Sequence, residues 1–142
     1  MSETGLKVFD ETLQLTHTWL KDLMQRLDWD SRQSAYAALR AVLHALRDRM
    51  PVDEAAQLGA QLPMLIRGFY YEGWHPAHKP TKERHLPQFL DHVGRELRRD
   101  GNFDPEPVVE AVFELLADRI SVGEIDDIKG LLPAELKALW PA

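Results

Sequence analysis

The 142-residue chain contains no cysteine. This absence excludes disulfide bonds, thiol catalysis and zinc sites with cysteine ligands, and it leaves the redox compartment undetermined. A glycine-rich phosphate loop is also missing, because Gly59 and Gly130 each stand alone in helical sequence. No triad pattern accompanies the serines, and Ser31 and Ser121 stand at predicted helix starts, where capping explains them. Nucleophilic and phosphate-transfer chemistry are therefore disfavoured.

The chain has fewer basic residues than acidic residues. The chain has 17 Lys and Arg residues against 23 Asp and Glu residues, which gives a net charge of −6. Phosphate backbones are bound by fields of Lys and Arg, so we expect no nucleic-acid partner. The same balance disfavours docking on anionic membranes.

Long apolar runs and alternating patterns are absent too. No stretch approaches the length that spans a membrane, and residues 1–17 have neither the basic region nor the apolar core of a signal peptide. By elimination we expect a soluble cytoplasmic protein of bacterial type. Because no segment alternates at period two, we expect no sheet.

What the chain does contain is an internal repeat about seventy residues apart, seen when 41–70 is aligned with 111–140. The identical positions are Ala41, Val42, Leu46, Asp48, Arg49, Val52, Glu54, Leu62 and Pro63, which recur as Ala111, Val112, Leu116, Asp118, Arg119, Val122, Glu124, Leu132 and Pro133. Such a repeat predicts the architecture but not the chemistry.

Helical periodicity divides repeat one, about 11–70, into three helices. The first is predicted over 11–27 with Asp10 as its N-cap, and Asp30 is predicted to open the second. Pro63 removes an amide, so it is expected to break or restart the third helix.

Repeat two, about 87–140, has the same order of helices. Asp104 is its clearest predicted N-cap, Ser121 opens a capping box, and Gly101 suits a helix end. The connector 71–86 has no periodicity. The predicted fold is all-α: two tandem, pseudo-equivalent three-helix repeats, each with a Pro-kinked third helix, pack as a single domain over 1–142, most simply with a pseudo-twofold relation.

The repeated pattern resembles the bacterial domain of unknown function 2267 from about Leu13 to Trp140. The residues that carry the resemblance are Ala41, Val42, Leu43, Leu46, Arg47, Arg49, Glu54, Ala55, Leu58, Gln61, Leu62, Pro63, Ile66 and Arg67, then Leu132, Pro133, Glu135, Leu136, Leu139 and Trp140. The resemblance implies an all-helical two-repeat protein and assigns no catalytic residue. Gln61 is replaced by Leu131 in the second repeat, so any role of that amide belongs to the first repeat alone.

Aromatic residues cluster around the start of the connector, next to Arg67. Arginine with aromatics is typical of protein-binding hot spots. Tyr71 and Trp74 have no counterpart in repeat two. Arg67, Tyr71 and Trp74 are therefore candidate partner-binding residues, and packing in the core is the alternative for the two aromatics.

Three histidines, His75, His78 and His85, lie in the same connector. Imidazoles suit zinc or nickel, and the His75-x-x-His78 spacing permits chelation. The alternative is that these are solvated loop histidines, and no other cofactor is expected. The Asp48-Arg49 pair, which recurs at the end of the equivalent helix, is interpreted as structural, because adjacent residues on a helix do not face each other.

Two functions follow from these features. The first is a non-enzymatic protein-interaction or regulatory module, for example a stress-linked adaptor. Its partner would be an unidentified protein or a second copy of the chain. The groove beside a kinked helix would receive an amphipathic helix. The alternative is a metal- or small-molecule-binding protein that uses the connector histidines.

Overall fold

In a computed structural model of the chain, residues 2–142 are described, and every regular element among them is helical. The all-α class is therefore confirmed. In chain order the helices are α1 (Lys7–Leu27), α2 (Arg32–Asp48), α3 (Val52–Gln61), α4 (Met64–Tyr71), α5 (Leu86–Leu97), α6 (Pro105–Arg119), α7 (Val122–Leu131) and α8 (Ala134–Lys137). A single turn of 3-10 helix, Pro76–His78, interrupts the connector.

Hydroxyl and carboxylate caps start several of these helices. The Asp104 carboxylate accepts a hydrogen bond from the amide of Glu106 at 3.3 Å, and the Ser121 hydroxyl accepts one from the amide of Glu124 at 3.2 Å. Both N-caps are as predicted, but the capping box expected at Ser121 is only half formed, because the Ser121 amide donates to the Gln61 side chain instead of to Glu124. At α2, however, Ser31 rather than Asp30 is the N-cap, and its hydroxyl oxygen accepts from the amide of Ser34 at 3.1 Å.

The start predicted for α1 is wrong by one turn. The helix begins at Lys7, so Asp10 lies inside it rather than at its N-cap. The Asp10 carboxylate instead accepts hydrogen bonds from the amide and the hydroxyl of Thr4, at 3.1 and 2.7 Å. An acidic side chain in the first turn is also favoured by the helix dipole, and the sequence pattern does not distinguish that position from the cap itself.

The third helix of each half is broken at its proline, as expected for Pro63, and it restarts as a separate helix instead of continuing through a kink. Leu62 and Leu132, which precede the prolines, are extended, with φ/ψ of −84°/145° and −90°/148°. A residue before proline is sterically driven out of the helical region, so the chain leaves the helix there and restarts after Pro63 and Pro133. Each half therefore has four helices instead of the predicted three.

One hydrophobic core runs through both halves of the chain. Leu39 and Leu43 of α2 and Phe113 of α6 are completely buried in it. Around that core α1 packs on α6 and α2 packs on α5. The first helix of each half thus contacts the second helix of the other, which positions charged side chains across the contact.

Charged and polar side chains meet in pairs at corresponding positions of the two halves. The pairs are Arg119–Asp22 (3.0 Å) and Arg49–His92 (3.1 Å), then Arg26–Glu114 (3.5 Å) and His44–Glu96 (3.1 Å). The second two pairs differ in the charge of the equivalent residues. Arg26 of α1 is a cation, whereas Glu96, at the equivalent position of α5, is an anion. A pseudo-twofold relation between repeats predicts such pairings, and that relation itself stays a prediction.

Among residues 2–142, no helix combines the length and the apolar character that a bilayer span requires.

Candidate functional site

The connector returns across the end of α2, where it is held by the Asp48-Arg49 pair. The Arg49 guanidinium is 4% exposed and lies 3.0 Å from the Glu83 carboxylate. The Thr81 amide donates to the Asp48 carbonyl at 2.8 Å, and the Lys79 ammonium lies 3.8 Å from the Asp48 carboxylate. Burial lowers the pKa of Arg49, while the charges of Glu83 and Asp48 oppose that shift. These contacts fix the loop and give the pair a structural role.

The equivalent pair, Asp118 and Arg119, holds α1 instead. Asp118 accepts a hydrogen bond from Arg26, and Arg119 donates to Asp22 at 3.0 Å. Burial disfavours the charged form of Asp22, but the Arg26 and Arg119 guanidinium groups outweigh burial and lower the pKa of that carboxyl. The interpretation of both pairs as structural agrees with these contacts.

His44, which sequence reasoning missed, joins three helices from inside the core. Its Nδ1 lies 3.1 Å from Glu96 Oε1, and its Nε2 lies 2.7 Å from the Phe69 carbonyl oxygen. Both partners are oxygen atoms, so the ring lies between an acceptor on α5 and an acceptor at the end of α4. Burial disfavours ionised Glu96, but the His44 and His92 rings outweigh it and lower the pKa of Glu96 to about 2.

Arginine side chains also cap the ends of α3 and α4. Arg47 donates to the carbonyls of Tyr70 and Glu72, at 2.6 and 2.8 Å. Arg67 donates to the carbonyls of Gly59 and Leu62, at 2.8 and 2.9 Å. The last carbonyls of a helix lack partners within it, so these guanidinium groups complete the helix ends.

The three predicted partner-binding residues lie in one region, and their contacts are internal. Arg67 is engaged by α3, and the half-buried Tyr71 ring lies between the rings of Tyr70 and Trp74, with centroid distances of 4.9 and 5.4 Å. The half-buried Trp74 has an indole nitrogen that is buried without a hydrogen-bond partner. The binding role of these residues stays a prediction.

The connector histidines are not brought together. His75, His78 and His85 are all exposed, and His85 Nδ1 lies 3.3 Å from a carboxylate oxygen of Glu135. Within residues 2–142, the only group of three or more His, Asp or Glu residues whose ligand atoms all lie within 4.8 Å of one another is found elsewhere.

That group consists of Glu54 from α3 with Glu124 and Asp127 from α7. Glu124 is 5% exposed, Glu54 is half-buried and Asp127 is exposed. One carboxylate oxygen of each glutamate, Oε2, is buried without a hydrogen-bond partner. Burial, a hydrogen bond with the Glu54 carboxyl group and the negative charges of Glu54 and Asp127 all raise the pKa of Glu124 above its ordinary value.

The two helices are held against each other by Gln61, the residue that lacks an equivalent in repeat two. Its amide donates to the Ser121 hydroxyl at 3.1 Å, and its carbonyl oxygen accepts from the Ser121 amide at 3.0 Å. The end of α3 thus meets the start of α7, and the helices run antiparallel. In the sequence Glu54 and Glu124 are repeated positions, and Glu124 is also the expected capping-box partner of Ser121. Their equivalence in the repeat is the available signal for their meeting.

A separate, mainly apolar groove lies between α1, α2 and α4 and has a volume of about 700 Å³. Its lining includes Thr16, Leu20, Tyr36, Leu65, Gly68 and Phe69. Leu65 in this lining is 43% exposed. Phe9 of α1 and Met64 of α4, which are 44% and 46% exposed, lie outside the lining. Arg32 and Glu72, which carry opposite charges, also line the groove.

Together these features define an all-α helical module with an open apolar groove and a carboxylate cluster between two helices. The chain belongs to the family described as "Uncharacterized conserved protein (DUF2267)", whose model matches residues 16–139. The resemblance seen in the sequence is thereby confirmed. Comparison with curated proteins gives no match.

Proposed function

We propose that the protein is a non-enzymatic interaction module of the bacterial cytoplasm and that it binds a helix of a protein partner in the groove between α1, α2 and α4. The observation that carries the proposal is the mainly apolar lining of this groove, in which Leu65 is 43% exposed, while Phe9 and Met64 of the same two helices are exposed apolar residues outside the lining. Apolar residues that cluster at a concave surface are typical of protein-binding sites.

The groove has the shape that an amphipathic helix requires. Phe9 lies on the same face of α1 as Thr16 and Leu20, because the three residues are seven and four positions apart. One turn beyond Phe9, the Thr12 hydroxyl oxygen accepts from the Leu65 amide at 2.9 Å and so joins α1 to α4. The apolar surface therefore runs along two helices, and a partner with apolar residues at i, i+3 or i+4, and i+7 fits it.

The polar residues inside the molecule support a binding role over an enzymatic one. His44, Arg47 and Arg67 use their nitrogens on backbone carbonyls or on a neighbouring carboxylate. These groups are engaged in joining helices. Arg32 lines the groove, where an acidic residue of the partner would match it. Glu72 also lines the groove, and its carboxylate lies 3.4 Å from the Arg40 guanidinium.

The test is to place a photo-crosslinking amino acid at Leu65 of the full chain in its own cells. We expect a discrete adduct with one protein, and a synthetic helix from that protein should bind the purified chain. Leu65→Asp should weaken that binding at least about tenfold, because truncation or charge at the centre of a contact has large effects.

The matched control is Val122, which is 74% exposed and belongs to α7 rather than to the groove. Val122→Asp should leave the affinity for the helix unchanged, and a crosslinker there should not trap the same protein. Equal adducts from both positions, or equal weakening by both substitutions, would refute the groove as the binding site. An adduct with a second copy would identify the partner as the chain itself.

A further inference from the structure

We propose that Glu54, Glu124 and Asp127 bind one hard divalent cation, of the Mg²⁺, Mn²⁺ or Ca²⁺ class, between α3 and α7. The site is distinct from the interaction groove and uses none of the connector histidines. Its three side chains come from both halves of the chain.

The ligand chemistry selects the class of ion. All three groups are carboxylates, and hard cations prefer oxygen ligands, whereas zinc and copper sites in proteins usually include imidazole or thiolate. One oxygen from each residue lies within 4.8 Å of the others. Oxygens on opposite sides of a bound Ca²⁺ are separated by about 5 Å and those around Mg²⁺ by about 4 Å, so the observed spacing admits the whole class.

The burial of Glu124 is the second observation that points to a ligand. The residue is 5% exposed, and its Oε2, like that of Glu54, is buried without a hydrogen-bond donor. A buried carboxylate without a partner is unfavourable, and a second carboxylate beside it increases the repulsion. A cation between the two would satisfy both oxygens at once.

Access to the site is provided by Asp127. This residue is exposed, whereas Glu124 is buried and Glu54 is half-buried. An ion can therefore enter from solvent beside Asp127, and water can complete its coordination shell, as is usual for Mg²⁺ and Ca²⁺.

The experiment titrates chelator-treated protein with Mn²⁺ and counts bound ions by electron paramagnetic resonance, then repeats the titration with Mg²⁺ and Ca²⁺ as competitors. We expect one Mn²⁺ per chain, displaced by at least one of the competitors. Asp127→Asn should weaken Mn²⁺ binding at least about tenfold, since loss of even an indirect metal partner has that effect. The position is exposed, so the fold should be retained.

Asp126→Asn is the matched control, because Asp126 is an exposed neighbouring acid outside the group. It should bind Mn²⁺ as the wild type does. If the wild type binds no stoichiometric Mn²⁺, the two glutamates share only a proton. If both variants lose the same affinity for Mn²⁺, the ion responds only to general surface charge. Either result would overturn the site while leaving the groove proposal intact.

Discussion

At the scale of single residues, the interior of this protein is joined by polar side chains as well as by apolar packing. His44, Arg47 and Arg49 are each less than 5% exposed. Each has acceptors within hydrogen-bond reach, as buried polar groups require. Removal of any one would leave buried partners without a donor.

The pair formed by His44 and Glu96 predicts a loss of stability in acid. The pKa of Glu96 is lowered to about 2 in the folded protein, from an ordinary value of 4.5. Its ionised form therefore stabilises the fold fully above pH 4.5, and this contribution is lost as the pH falls from 4.5 towards 2. Between pH 7 and pH 3 the loss from this group should be on the order of 2 kcal/mol.

Urea unfolding at the two pH values measures this effect, with Glu96→Gln as the comparison. The variant cannot titrate at this position, so its free energy of unfolding should fall less between pH 7 and pH 3 than that of the wild type. If the two proteins lose the same amount, ionised Glu96 does not stabilise the fold.

At the scale of elements, the sequence predicts most helices, but it misplaces a helix end where a capping residue or a proline is compatible with two positions or two conformations. Ser31 and Asp30 are adjacent cap candidates, and only the backbone direction decides which side chain reaches the amide of Ser34. Pro63 correctly predicts a break, and the extended conformation of Leu62 makes the segments on either side two helices instead of one kinked helix. The burial of His44 could not be predicted because helical periodicity indicates which apolar residues are buried. This polar ring lies in the core with hydrogen bonds to Glu96 and to the Phe69 carbonyl.

The contact between α3 and α4 yields a prediction at Gly59. A Cβ added there would overlap the Tyr71 hydroxyl and lie 2.7 Å from the ring carbon Cζ. Gly59→Ala should therefore destabilise the protein by about 1–3 kcal/mol, because over-packing outweighs the gain in helix propensity. Thermal or urea unfolding measures the change.

Gly130→Ala in α7 is the matched control, because a Cβ at that position meets nothing within 4 Å. It should stabilise the protein by up to about 1 kcal/mol through helix propensity alone. Equal stabilisation by both substitutions would mean that Tyr71 swings away freely and does not pack on α3.

At the scale of the whole molecule, the internal repeat predicts which residues correspond but not which residues meet. Glu54 and Glu124 are equivalent in sequence, yet their contact depends on the antiparallel packing of α3 on α7, which Gln61 helps to fix. Asp48 and Asp118 are equally equivalent, and they bind different elements. The differences between the halves therefore point to the connector, whereas two of the three clustered carboxylates, Glu54 and Glu124, are residues that the halves share.

Anomalous diffraction from crystals grown with Mn²⁺ tests most directly the claim that the two halves build a cation site between them. We predict a single strong peak among the carboxylate oxygens of Glu54, Glu124 and Asp127, with oxygen–metal distances of about 2.0–2.6 Å. An empty site between α3 and α7, or a peak at the connector histidines instead, would contradict the account.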